Sequence, residues 1–234
     1  MIRLVEAIRH FRKIRGAKDK DRLGHVFDTM AAMGSKRYDE TRDKYLADPQ
    51  YVELVRSSPS LSEQIADLDS LRQMDEGSFG RAVYEYLTSS GFNHDKFQAA
   101  YQTTGLQSGE DGLLRAYDCR ERDLHDVIHV LFGYGRTRFG EVATISTHYW
   151  QGGASGYGAI TFIGIVRYVF TRPRVARLLL KALRSVWDRQ RGVELRPYPF
   201  ERSLNKPLDV IQQDLGIPPK SRLLCAVLED TGWN

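Results

Sequence analysis

The sequence is poor in cysteine. Its two, Cys119 and Cys225, are too few and too far apart for a disulfide framework or a thiolate metal site, and they fit a reducing compartment. Long apolar runs are also missing. A membrane-spanning helix needs roughly 18 or more consecutive apolar residues, and the longest candidate run, Ala159 to Val166, is stopped by Arg167. The first residues lack an apolar core followed by a small-residue cleavage site, so no secretory signal is expected. Period-two stretches of Val, Ile and Thr are nearly absent, which argues against a sheet. No repeat is visible, and no linker rich in Gly, Ser or Pro divides the chain.

What is present is a mildly basic chain of 234 residues, net charge +4 and pI near 9.0, 41% of it hydrophobic. A chain of this size buries roughly 70% of its unfolded surface, so it can hold its own core. The charge admits an anionic partner, whether phosphate, nucleic acid or an anionic membrane surface, without choosing among them. Residues 1–15 are basic and amphipathic, with Leu4, Ile8 and Phe11 on one face. They read as an ordinary first helix, with Glu6 in its favour; a transit peptide is the alternative.

Helical periodicity dominates the remainder. Helices are expected over 2–14, 21–33, 38–46 and 61–73, from an N-cap at Ser78 to Gly91, and over 95–103. A short segment over 106–116 leads into a helix over 120–132. Gly133, Gly135 and Gly140 then turn the chain into a helix over 139–150. The glycine-rich stretch 152–158 is a loop; it follows no strand and lacks the G-x-G-x-x-G spacing of a phosphate cradle. Helices follow over 159–170 and 173–191, ended by Gly192. Pro197 and Pro199 mark an extended connection, and Pro207 opens a helix closed by Gly216. Residues 223–228 form a short apolar piece. The pattern is that of one all-α domain over residues 1–234.

One constellation carries chemistry. His125 and His129 stand four apart, so on a helix they share a face one turn apart. Asp126 lies about 100° round from His125 and borders that face. Glu141 follows after a glycine-rich turn long enough to bring the next helix back antiparallel. Two imidazoles and two carboxylates suit one divalent metal. Such a set leaves a coordination position open, as a catalytic site requires. The alternative is a pair of core histidines with hydrogen-bond partners of their own. Glu121 and Asp123 either orient the ligands or pair with Arg120 and Arg122. His148, seven residues after Glu141, lies about 10 Å further along the helix, too far for the same ion. The H-D-x-x-H spacing is also close to the H-E-x-x-H helix of zinc hydrolases, where the acid is a general base. Asp126 could therefore be a ligand or a base.

The ordered pattern H-D-x-x-H-x11-E, carried by His125, Asp126, His129 and Glu141, resembles the signature of the coenzyme Q biosynthesis protein 4 family. Arg122-Asp123 before it and Gly140 beside Glu141 agree. So do Glu76-Gly77-Ser78-Phe79-Gly80-Arg81-Ala82 with Tyr84, and Asn205-Lys206-Pro207-Leu208-Asp209-Val210 through Leu215-Gly216-Ile217. The resemblance covers much of 71–217. It implies an all-α fold with a metal between two adjacent antiparallel helices, zinc foremost, with iron, manganese or cobalt also admitted. It implies loss of the C1 ring carboxylate, with hydroxylation there, from a polyprenylated 4-hydroxybenzoate. Asp126 and Glu141 would be the catalytic carboxylates, and Arg122 and Asp123 would support the ligands. The other role it implies is a non-catalytic scaffold for quinone-biosynthesis proteins. Partners would be a prenylated aromatic acid or quinone precursor, other proteins of the pathway, a membrane surface and, in one assembly, a second copy. The location would be peripheral on the inner membrane, cytoplasmic in a bacterium or mitochondrial in a eukaryote.

A prenyl tail needs an apolar groove. Ile160, Phe162, Ile163, Val166 and Phe170 are candidates to line it, with plain core packing as the alternative. Arg174, Arg177, Lys181 and Arg184 form a basic stripe opposite Val175, Leu178, Leu179, Ala182, Leu183 and Val186, the pattern of a helix lying on anionic lipid. No aromatics interleave with the stripe, so nucleic acid is not expected as a partner.

Overall fold

The computed structural model describes residues 36–89, 112–153, 156–159, 161–162, 165–166 and 173–229, the side chains of 173–176 excepted. The helices expected over 2–14, 21–33 and 95–103 lie outside the described residues, as do Ile160, Ile163, Phe170 and the side chain of Arg174.

In chain order the elements are α1 (Lys36–Leu46), α2 (Pro49–Val55), α3 (Leu61–Ala66), α4 (Leu68–Arg72), α5 (Phe79–Thr88), α6 (Gly112–Phe132) and α7 (Arg138–Trp150). After these come α8 (Pro173–Gln190), a 3-10 turn (Phe200–Arg202), α9 (Leu208–Asp214) and α10 (Arg222–Glu229). No strand occurs among the described residues; one isolated antiparallel bridge joins Ser78 to Pro207. The fold is all-α, as expected, but its segmentation differs. From residue 112 on, the short segment and the helix expected from 120 are one continuous α6, because Leu113, Ala116, Tyr117, Arg120 and Leu124 keep the 3–4 residue period with no breaker between them. The helix expected over 61–73 breaks at Asp67, which closes α3 and whose carboxylate accepts from the Ser70 amide to start α4. α2 was not expected. Its signal is Asp48, whose side chain accepts from the Gln50 amide, with Pro49 in the first turn. The apolar tail piece is α10.

α6 is the central helix. Leu124, Val127, Ile128 and Leu131 are buried on it, and Phe79, Val83 and Leu87 of α5 pack against them at helical spacing. Phe139 and Ala143 of α7 and Leu179, Ala182 and Val186 of α8 close the same core. Each such side chain contributes roughly 1.5–3 kcal/mol on full burial. A second cluster, Tyr51, Leu54, Val55 and Tyr117, ties α2 to the start of α6.

Two of the sequence blocks singled out above meet each other. The amides of Phe79 and Gly80 donate to the carbonyls of Lys206 and Leu204, at 2.8 Å each, and Leu208 N–H donates to Gly77 C=O at 2.9 Å. The first-turn amides of α5, which have no partner within the helix, are thus taken up by the segment entering α9. Gly80 is glycine because a Cβ there would run into the Met74 sulfur and stand 3.2 Å from the Leu204 carbonyl oxygen.

Candidate metal centre

α6 ends at Gly133, whose φ of 60° is left-handed. Gly133 N–H donates to Val130 C=O and Tyr134 N–H to His129 C=O, a Schellman closure. Thr137 then caps α7, its hydroxyl accepting from the Gly140 amide at 3.1 Å. This short reversal lays the first turn of α7, with Glu141, beside the last turns of α6, with His125 and His129.

The three side chains converge. Glu141 Oε2 lies 3.6 Å from His125 Nε2 and 3.5 Å from His129 Nε2, and the three donor atoms fall within 4.8 Å of one another. Two ligands each about 2.1 Å from one ion in a tetrahedron are separated by about 3.4 Å, so these spacings match a shared ion. His129 is fully buried. Its Nδ1 lies 2.7 Å from the Tyr134 carbonyl oxygen and 3.2 Å from Thr144 Oγ1. Nδ1–H donating to that carbonyl leaves the lone pair on Nε2, and Nε2 has no hydrogen-bond partner. A buried unpaired nitrogen facing a carboxylate and a second imidazole fits a metal ligand. Burial opposes ionisation of Glu141, yet the imidazoles of His125 and His129 beside it hold its carboxyl far below the usual range. Burial likewise opposes charge on His125, and the Glu141 carboxylate 3.6 Å away outweighs that and raises its pKa.

Asp126 is not among the three close donors. Its position about 100° round α6 from His125 turns it off the face that α7 covers. It acts as a nearby half-buried charge, favouring protonated His125 and disfavouring ionised Tyr86. Arg122 and Asp123 engage each other, at 2.6 and 2.8 Å, and Ser62 of α3. Burial pushes the Asp123 carboxyl up to about 6 despite Arg122 and Ser62.

Three contributors were not apparent in the sequence. Tyr86 of α5 stacks on His129, ring centroids 4.9 Å apart and 24° between planes. Arg136, in the α6–α7 turn, lies over the Tyr86 ring, 4.0 Å from its centroid, and donates to the Tyr86 carbonyl at 3.0 Å. Tyr134 supplies its backbone oxygen to His129. Glu121 was expected to orient the ligands or to pair with Arg120 or Arg122. Instead it is buried one turn before His125 and takes two bonds from Arg196, at 2.7 and 2.6 Å. His148 Nε2 stands 3.4 Å from the same carboxylate, so it belongs to this lower pair and not to the triad. Burial opposes ionised Glu121, and Arg196 and His148 overcome it, bringing the carboxyl down to about 2. Arg120 joins the assembly through Glu201 at 2.6 Å and the carbonyls of Arg196 and Tyr198. The extended connection around Pro197 is therefore a strap laid on α6.

The apolar and basic candidates fall at the surface or just beneath it. Phe162 is 67% exposed and does not line an interior groove, while Val166 is half-buried. On α8, Leu179, Ala182, Leu183 and Val186 are buried, and Arg177, Lys181 and Arg184 are exposed beside Leu178 and Leu180. Among the described residues no helix is long and apolar enough to cross a membrane.

The chain is 26% identical over 184 residues to the mitochondrial ubiquinone biosynthesis protein COQ4 homolog of Bos taurus, a match covering 76% of this chain and 65% of that protein. It is 27% identical over 187 residues to ubiquinone biosynthesis protein COQ4, mitochondrial, of Yarrowia lipolytica, covering 77% and 67%. The chain thus spans just under two thirds of the bovine relative's length. In fold it is similar to a crystal structure of a Nostoc punctiforme PCC 73102 protein assigned by name to ubiquinone biosynthesis. That match has a TM-score of 0.66 at 16% identity and covers 92% of this chain and 96% of the other. The family model for coenzyme Q (ubiquinone) biosynthesis protein Coq4 matches residues 10–221, a range that holds the triad, the Tyr86 stack and the Arg196 strap, and the chain belongs to that family.

Proposed function

We propose that this chain is a metal-dependent enzyme of ubiquinone biosynthesis. It would remove the ring carboxylate of a polyprenylated 4-hydroxybenzoate precursor and leave a hydroxyl at that carbon, C1. The observation that carries the reading is His129 Nε2, buried, unpaired and facing Glu141 and His125. Zinc suits this donor set best, and iron, manganese or cobalt accept it. When bound, the ion supplies a Lewis acid for a substrate oxygen and eases the build-up of negative charge.

The chain's own residues have separable tasks in this reading. Tyr134 C=O and Thr144 hold His129 in the tautomer that offers Nε2. Glu141, 45% exposed, marks the side open to substrate. Asp126, beside the triad and half-buried, can accept a proton there. The overall conversion takes an aromatic acid and water to a phenol, carbon dioxide, two protons and two electrons, so an external two-electron oxidant is required. The exposed Arg177, Lys181 and Arg184, with Leu178 and Leu180 at 37% and 51% exposure, would rest α8 on anionic lipid. In this reading the protein lies peripherally at the membrane that holds the quinone, cytoplasmic in a bacterium and mitochondrial in a eukaryote.

The exposed Phe162 favours a second reading, a non-catalytic scaffold that binds prenyl lipid and gathers other proteins of the pathway. Reconstitution decides between them. Metal-loaded protein with a prenylated 4-hydroxybenzoate and an oxidant should release carbon dioxide. His125→Ala and Glu141→Ala should lose metal and product together. Prenyl-lipid binding without turnover by the loaded wild type would leave the scaffold standing, and full turnover by a metal-free variant would refute the metal's role.

A further inference from the structure

We infer that Tyr86 is a positioning residue for the metal centre, and that Arg136 pins it in place. The inference rests on the metal reading above. A histidine ligand is fixed along its length by the ion at Nε2 and the hydrogen bond at Nδ1, but neither contact stops the ring from tilting about that line. On His129 the tilt is blocked from the face. The Tyr86 ring lies nearly parallel to it, at 4.9 Å and 24°, while His125 meets it edge-on at 4.9 Å and 71°. Tyr86 is itself held twice by one guanidinium. Arg136 sits over its ring, 4.0 Å from the centroid, and bonds its backbone oxygen at 3.0 Å.

The result is a set of cation, phenol ring and imidazole in mutual contact through Tyr86, assembled from three places. Arg136 comes from the α6–α7 turn, Tyr86 from α5 and His129 from α6. The same turn supplies the Tyr134 carbonyl that fixes Nδ1, so it sets both the axis and the tilt of the ligand. α5 carries Tyr86 to this point because its first turn is tied to the 204–208 segment. Tyr86 is only partly buried, so core packing alone does not fix its ring. The ring does the positioning; the hydroxyl is not needed for it.

The test is cobalt binding by full-length protein stripped of metal, read as affinity and as the visible ligand-field spectrum, with His129→Ala as reference. Tyr86→Leu should weaken cobalt binding by about 10–100-fold and alter the spectrum, the usual cost of losing a ligand's outer partner. Tyr86→Phe should restore both to within about twofold, and Arg136→Met should fall at the low end of that range, near about tenfold. Wild-type affinity and spectrum in Tyr86→Leu would overturn the inference. If Tyr86→Leu does not fold, Arg136→Met decides alone, and an unchanged spectrum and affinity there would overturn it. Failure of the metal reading looks different: the wild type would take up no stoichiometric cobalt, or His129→Ala would bind it equally well.

Discussion

At the scale of single residues the most consequential pair is Glu121 and Arg196, 5% and 2% exposed in their side chains. Removing one partner of a buried ion pair leaves the other charged and unpaired, which typically costs about 3–5 kcal/mol, whereas replacing both by apolar groups of similar size is often close to neutral. Arg196→Met should therefore lower unfolding stability by about that amount, and Glu121→Leu combined with Arg196→Met should recover most of it. Chemical denaturation of the two single variants and the double variant checks this; additive losses would show that the two residues do not act as a pair. The contrast with the triad explains what a reader of the sequence can see. His125, His129 and Glu141 are legible because a helical turn and one tight reversal connect them. The partner of Glu121 lies 75 residues away, and no periodicity encodes a contact at that range. Tyr86 was hidden for the same reason, and Asp126, about 100° round the helix from His125, is not among the three donors that converge.

At the scale of elements the α6–α7 reversal decides the geometry. A Cβ on Gly140 would collide with the Gly135 carbonyl, so Gly140→Ala must push the first turn of α7 away and carry Glu141 with it. The expected outcome is a loss of about 1–3 kcal/mol of stability, together with at least about tenfold weaker metal binding, as for disruption of groups that orient ligands. Gly133→Ala strains the left-handed position and displaces only the flexible end of Lys220, so it should cost about 1 kcal/mol, with metal affinity largely kept. Isothermal titration beside thermal melts separates the two; equal affinity loss in both would contradict this division. The helices themselves were legible where the apolar period was long, as in α6, α7 and α8. They were less so where capping decided the boundaries. The Asp67 break and the Asp48-Pro49 start each rest on the side-chain hydrogen bonds of one aspartate, which periodicity does not register.

At the scale of the whole molecule, proton balance sets the working range. Glu121 has a lower pKa folded, about 2 against 4.5, so its contribution is complete above about 4.5 and is lost as pH falls toward 2. His148, lowered chiefly by burial, has the same sign and begins to cost stability as pH falls through its ordinary value of 6.5. His125 and Asp123 are raised and oppose this, their stabilisation being lost as pH rises. The metal-free protein should lose stability below pH 4.5, and Glu121→Gln should flatten that limb in melts taken from pH 7 to pH 3. Metal binding reverses the role of His125, since a bound ion displaces its proton. Affinity should then fall with acid, and saturating metal at 100 times its Kd should add about 2.7 kcal/mol of stability that a chelator removes.

The strap from Arg196 to α6 also bears on the order in which the molecule can assemble. His125 and Glu141 are 16 positions apart, while Arg196 must return across 75 to reach Glu121. On a logarithmic loop-closure scale the longer return costs about 1.4 kcal/mol more chain entropy. It also needs residues that leave the ribosome long after the ligands do. The hairpin that gathers the metal can thus close during synthesis, before the residue that locks its lower end has been made.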